Sequence, residues 1–195
     1  MRSDPIRADQ PLAPSGVGSD LRALRKSRAV TLTDLAAGVG RSVGWLSQVE
    51  RGLSEPTISD LRRLAAFFKV PLSLFFGHAE TPEAERGHIV RRNAGRSLGA
   101  PDGGLTETLM SPDLGGAFEI VRSVFDPGAT LSAPQTRPTE EAGYIVSGTL
   151  DLWIDEVQFT LSEGDSFCFR GEPYRWRNPG DEPCVVIWVI APPVY

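Results

Sequence analysis

Two spacings of apolar residues divide the chain. Between residues 21 and 76 the apolar positions recur every three or four residues, the period of helices with one buried stripe. Leu21 and Leu24 mark a first helix, with Ser19 or Gly18 as its candidate cap. Thr31 and Asp34 have the spacing of a capping box ahead of Leu32, Leu35 and Ala36. After a turn at Gly40, Ser42 is the natural cap of VGWLSQVER, whose Leu46 and Val49 face inward and which Gly52 ends. Thr57 and Asp60 repeat the box before ISDLRRLAAFFKV, with Ile58, Leu61, Leu64, Ala65 and Phe68 as its stripe. Pro71 opens PLSLFF, a brief fifth helix. From His88 onward the period drops to two, in HIVRR, LTETLM, FEIVRSVF, GYIVSGTLDLWI, VQFTL, SFCFR, YRWR and CVVIWVI. Short strands at this spacing, with Gly, Pro and Asp at the bends, predict a sandwich or barrel. The polar stretch His78 to His88 reads as the linker.

Charge follows the same division. Residues 1–77 hold 11 Lys and Arg against 7 Asp and Glu, while residues 78–195 hold 9 against 18. A basic half on an acidic chain points to a polyanionic partner for that half alone. No apolar run reaches the ~18 residues of a membrane span, and the first twenty residues lack the apolar stretch of a secretory leader. The expectation is a soluble cytoplasmic protein with no membrane partner. Cys168 and Cys184, 16 apart with no CxxC and no His beside them, fit two buried reduced thiols better than a zinc site or a disulfide.

Two short helices around a Gly-containing turn, VTLTDLAAGVGRSVGWLSQVERG, meet the needs of a helix-turn-helix, whose second helix enters a groove ~12 Å wide. The run from Leu21 to Phe76 resembles the five-helix DNA-binding domain of the xenobiotic-response-element, or lambda-repressor-like, regulators. LSQVERG and PTISDLRRLA are its most diagnostic segments. The resemblance implies that Ser42 to Arg51 is the recognition helix and that Arg41, Ser42, Val43, Gly44, Ser47, Gln48 and Arg51 meet double-stranded DNA, with Leu46 and Val49 behind. A Gln amide can bond an adenine edge twice, and Arg can do the same to guanine. The resemblance also pairs Arg25 with Glu50, a structural role. Gly44 costs its helix ~1 kcal/mol relative to Ala; it either admits a close backbone or phosphate or is a tolerated neutral residue. Trp45 packs at the bundle edge or against DNA.

From about Phe118 to the end the chain resembles the cupin family, a double-stranded β-helix. The family's first motif has two His one residue apart, a Glu four residues later and a Gly seven beyond it. Here Glu141 and Gly148 keep that spacing, but Gln135 and Arg137 stand at the His positions. In the second motif Asn178 is present and Tyr174 replaces the third His. Gln is a weak neutral donor, Arg stays protonated and Tyr is protonated near neutral pH, so no metal and no cofactor is expected. Arg137 with Tyr174 can instead grip a carboxylate, while Gln135 and Glu141 take an amine or hydroxyl. The alternative is a closed Arg137 to Glu141 bridge without a ligand. Phe167, Phe169, Trp176 and Trp188 line a pocket or are simply core.

The reading is therefore a two-domain chain, an all-α five-helix bundle followed by an all-β cupin barrel. Residues 1–17 form a flexible tail, 18–77 the DNA reader, 78–105 a linker with the first strand, and 106–195 the sensor. It describes a transcriptional regulator without catalytic residues, a homodimer on a palindromic operator, whose barrel senses a small anionic metabolite such as an organic or amino acid. The rivals are a metal-dependent cupin enzyme and a regulator or antitoxin-like module whose barrel only dimerises or contacts protein.

Overall fold

The computed structural model describes residues 16–76, 82–99 and 102–194. The greater part of the expected tail, residues 1–15, and His78 lie outside the described residues.

The helical half consists of α1 (Gly16–Ser27), α2 (Leu32–Val39), α3 (Val43–Glu50) and α4 (Ile58–Phe68). Its core is the stripe read from the sequence: Leu21, Leu24, Leu35, Leu46, Val49, Leu61, Leu64 and Phe68 are buried. Ile58, placed in that stripe by its spacing, is instead exposed in the first turn of α4. The Thr57 box forms fully, with Thr57 N–H donating to Asp60 Oδ2 (3.1 Å) and Asp60 N–H to Thr57 Oγ1 (3.2 Å). The Thr31 box forms by half, because Asp34 Oδ2 accepts the Thr31 hydroxyl (2.6 Å). The first helix begins before Gly18 and Ser19, so neither caps it; the Ser19 hydroxyl donates back to Gly16 O (2.8 Å). Gly18 serves packing: a Cβ there would lie 2.2 Å from Val49 O, so α1 crosses α3 with its backbone almost in contact. The fifth helix is not an α-helix. Leu72–Phe75 is one 3-10 turn, because Pro71 and Phe76 on either side are extended and four residues cannot close an α-helical ladder.

The carboxy-terminal half is two sheets. One has the order β1-β2-β3-β9-β4-β7, from Arg96–Ser97, Leu105–Leu109, Glu119–Phe125, Cys184–Ala191, Glu140–Ser147 and Ser166–Arg170. The other is β6-β5-β8, from Val157–Ser162, Thr149–Ile154 and Tyr174–Arg177. All pairs are antiparallel. HIVRR is not a strand: residues 88–92 are irregular, with Ile89 exposed and Arg91 paired to Glu85. Two motif residues prove structural. Gly148 joins β4 to β5 at φ +81°, and a Cβ there would lie 2.8 Å from Cys184 Cα, so only Gly fits the turn. Asn178, fully buried, donates to Phe125 O and Glu182 O (both 2.9 Å), tying the 178–182 bend to the end of β3. Cys184 is buried as expected, whereas Cys168 is exposed because it sits on the outward parity of β7.

The two halves meet across α1, the 3-10 turn and β1. Arg96 of β1 and Asp20 of α1 are both buried and form an ion pair, Nη1 to Oδ2 2.8 Å and Nη2 to Oδ1 3.1 Å. Ser73 Oγ donates to Ser97 O (2.8 Å) and accepts from Gly99 N–H (3.1 Å). No helix among the described residues is long and apolar enough to cross a membrane.

Candidate functional site

Two surfaces carry polar chemistry. The first is the outer side of α3. Ser42 caps this helix by accepting from Trp45 N–H (3.1 Å), which leaves Val43, Gly44 and Gln48 exposed and Ser47 half-buried in a row. The opposite side is anchored by buried Leu46 and Val49 and by Glu50, which accepts from Arg25 Nε (2.6 Å) and Nη2 (2.8 Å). Hydrogen bonding to Glu50 outweighs burial and raises the Arg25 pKa, so this guanidinium stays charged. Arg25 also donates to Val30 O (3.0 Å), fastening the α1–α2 turn.

Arg41 and Arg51 are less free than the sequence suggests. The Arg41 guanidinium bonds Asp60 through Nε (2.8 Å) and Nη2 (2.9 Å) and sits 4.9 Å from the Trp45 ring centroid. Burial pushes the Asp60 carboxyl up, but bonds from Thr57 and Arg41 prevail and hold it below its ordinary value. Arg41 thus links the start of α3 to the cap of α4, and Trp45 is half-buried at the bundle edge. Arg51 Nε donates to Ser47 O (3.1 Å), while its side chain is exposed. Gly44 has no atom within 4 Å of where a Cβ would stand. Gly44→Ala is therefore expected to raise the unfolding free energy by about 1 kcal/mol through helix propensity alone. If operator affinity falls in the same variant, the position is reserved for DNA; unchanged affinity makes it a neutral glycine.

The second surface is a cavity of about 500 Å³ inside the barrel. Gln135, Arg137, Glu141 and Tyr174 all line it, brought together from β4, β8 and the segment before β4. Gln135 is placed by paired backbone bonds to Tyr174 (2.8 Å each). The bridge between Arg137 and Glu141, the alternative to a bound ligand, does not form. Glu141, 1% exposed, accepts from Thr139 Oγ1 (2.8 Å), and Arg137 Nη2 donates a long bond to Gln135 Oε1 (3.5 Å). Arg137 forms no ion pair among the described residues.

Leu105, Phe125, Trp176, Trp188 and Ile190 supply apolar walls. Phe167 and Phe169 pack behind, Phe167 edge-on to Trp188 at 4.8 Å. Four polar wall residues were missed from the sequence: Asp102, Glu107, Ser123 and Thr130. Glu119, fully buried, points the same way on β3. The signal existed for the strand residues. Glu107 shares parity with Leu105 and Leu109, and Glu119 and Ser123 share parity with Val121 and Phe125, so each is a polar residue on an inward face. Burial raises the pKa of Glu107, Glu119 and Glu141 above the ordinary carboxyl value, with the Arg137 charge opposing in each case. Burial likewise pushes the Tyr174 hydroxyl up to about 12, so it is a neutral donor.

This donor set does not suit the divalent ion of metal-bearing cupins. A permanent cation and a protonated phenol occupy two ligand positions, and no cluster of three His, Cys, Asp or Glu among the described residues is arranged to hold an ion.

Comparison with known proteins agrees with both halves. Residues 17–75 match the family model described as a helix-turn-helix domain, and residues 121–190 match that of a cupin domain. The HTH-type transcriptional regulator PuuR of Escherichia coli K12 is 23% identical over 189 residues, 96% of this chain and 100% of that protein. The transcriptional regulator ClgR of Mycobacterium tuberculosis H37Rv is 32% identical over 97 residues, 49% of this chain and 87% of that one. The crystal structure of an HTH_3 family transcriptional regulator from Vibrio cholerae is 26% identical, with a TM-score of 0.44 over 94% of this chain and 98% of that chain.

Proposed function

Because the chain belongs to the helix-turn-helix transcriptional regulators that carry a cupin domain, we propose that it reads a twofold operator as a homodimer and that its barrel senses a small carboxylate-bearing metabolite without a metal. The observation that carries the sensing half is an unpaired guanidinium, Arg137, on a half-apolar cavity beside a neutral phenol. The carboxylates around this cation act on it through space, none among the described residues within ion-pair distance, and a ligand carboxylate supplies a direct partner with bidentate geometry. On the DNA side, α3 offers Val43, Gly44, Ser47 and Gln48 to base edges, with Ser42 as its cap and Arg41 and Arg51 at its two ends for phosphates. Two half-sites one helical turn apart call for a second copy; the exposed apolar residues Tyr144, Val146 and Val189 on the outer face of β4 and β9 are the surface we assign to it. Nothing in the cavity is assigned a catalytic role.

The route from ligand to DNA runs through β1. Leu98 lines the cavity, and its neighbours Ser97 and Gly99 are the residues clasped by Ser73 of the helical half. A ligand that prefers one position of Leu98 biases the seating of the DNA reader, as unequal affinity for two states requires. The test starts with mass spectrometry of small molecules released from the purified protein and gel shifts with the operator found by selection from random duplexes. In Arg137→Gln, effector affinity is expected to fall about tenfold or more, the cost of losing a charged hydrogen-bond partner, with operator affinity intact. In Ser73→Ala, the effector still binds but its influence on operator affinity shrinks. An effector response that survives Arg137→Gln, or one equivalent of a transition metal in the purified protein, overturns the sensing proposal.

A further inference from the structure

The charges around the cavity do not balance for a simple anion. Among the described residues Arg137 is the one cation lining it, against Asp102, Glu107 and Glu141. Glu119 stands directly behind: it pairs with Ile190 across β3 and β9, and Ile190 pairs with Glu141 across β9 and β4, so the three side chains form one inward row. Glu119 Oε1 accepts from Val194 N–H (3.0 Å), while its Oε2, fully buried, has no hydrogen-bond partner. Glu107 accepts a long bond from Ser123 Oγ (3.3 Å), and Thr139 is the partner of Glu141. Asp102 is exposed, but Glu119 and Glu141 are buried and Glu107 half-buried, and holding these carboxylates around a single guanidinium is costly unless a positive group joins them. A ligand with only a carboxylate would add one more negative charge, and a ligand with only an amine would leave Arg137 without a direct ion-pair contact among the described residues.

We propose that the cavity binds a zwitterion, an amino acid with an apolar side chain, its carboxylate on Arg137, its ammonium between Glu107 and Glu141, and its side chain against Leu105, Phe125, Trp176 and Trp188. This rests on the effector-binding reading above and narrows its ligand class. The polar and apolar parts of one wall suit the two ends of such a molecule, and a volume of about 500 Å³ exceeds what any apolar amino acid needs. The ammonium requires Glu107 and Glu141 in their charged form. The groups facing them are Asp102, Glu119, Arg137 and Tyr174, of which Arg137 alone favours that form.

Calorimetry on the full-length protein tests this with leucine, isoleucine, valine, methionine, phenylalanine and tryptophan, each beside its 2-hydroxy acid and its decarboxylated amine. The expected result is binding of at least one amino acid, with both of its analogues weaker by about tenfold or more, as follows when a buried charged group loses its partner. Glu107→Gln, which keeps size and shape, is expected to bring the amino acid down to the affinity of its hydroxy acid while leaving the hydroxy acid unchanged. A hydroxy acid that binds as well as its amino acid overturns the ammonium subsite and leaves the carboxylate subsite standing. Failure of all six amino acids overturns this inference, and the effector reading then survives only if another small acid binds in an Arg137-dependent manner. Binding of an amino acid that is indifferent to Arg137→Gln overturns both.

Discussion

Arg25→Ala is expected to remove about 3–5 kcal/mol from the stability of the helical half, because it strands a buried carboxylate. Glu50 side-chain exposure is 4% and that of Arg25 is 12%, so water cannot take over the two bonds that Arg25 makes to it. The loss is not confined to charge: the bond to Val30 O, which closes the turn between α1 and α2, goes with it. A small domain has about 5–15 kcal/mol in total, so the bundle would unfold at much lower urea, followed by the helical circular-dichroism signal. The double variant Arg25→Met with Glu50→Leu should recover most of the loss, since exchanging a whole buried pair for apolar groups is far cheaper than leaving one charge behind. A loss below about 1 kcal/mol in the single variant, the size of an exposed pair, would refute the buried-pair account. DNA binding should fall with folding, because Glu50 is the last residue of α3 and the pair sets how that helix stands on α1.

Gln48→Ala is expected to leave folding untouched and to erase discrimination at one base pair of each half-site, by about 1–3 kcal/mol. Gln48 is exposed in the middle of α3 and forms no side-chain bond among the described residues, so its truncation strands none of them. Competition between the selected operator and its single-base variants measures the effect. Affinity for random duplexes, and its salt dependence, should stay the same because phosphate contacts are not involved. Equal preference for all operator variants before and after the change would remove Gln48 from the set of base readers. Arg41→Ala is a poorer probe. It would deprive Asp60, 2% exposed and part of the α4 cap, of its ion-pair partner, mixing a folding effect with a recognition effect.

Much of the fold was legible because burial imposes its own period. Leu46 and Val49 face inward three apart, and Val121, Ser123 and Phe125 face inward two apart, for no reason other than the pitch of helix and strand. The misreadings have local causes. PLSLFF has a helix-like pattern but too few residues between extended neighbours, and HIVRR has strand-forming residues but no strand beside it. Of the cavity, Gln135, Arg137, Glu141 and Tyr174 were found by their correspondence to a motif.

By itself, then, the sequence determined the two periodicities, the caps, the charge asymmetry and the loss of imidazoles from the metal-binding positions, since each depends on residues close along the chain. Tertiary structure alone decided that Arg137 stays apart from Glu141, that Glu107 lines the cavity with them while Glu119 stands behind, that Arg41 is held by Asp60, and that Ser73 clasps the strand beside the cavity. Those outcomes depend on which strands close into a barrel and where it rests on the helices. Pairing energies between groups far apart in sequence are set by distance and burial, neither of which a linear order of residues contains.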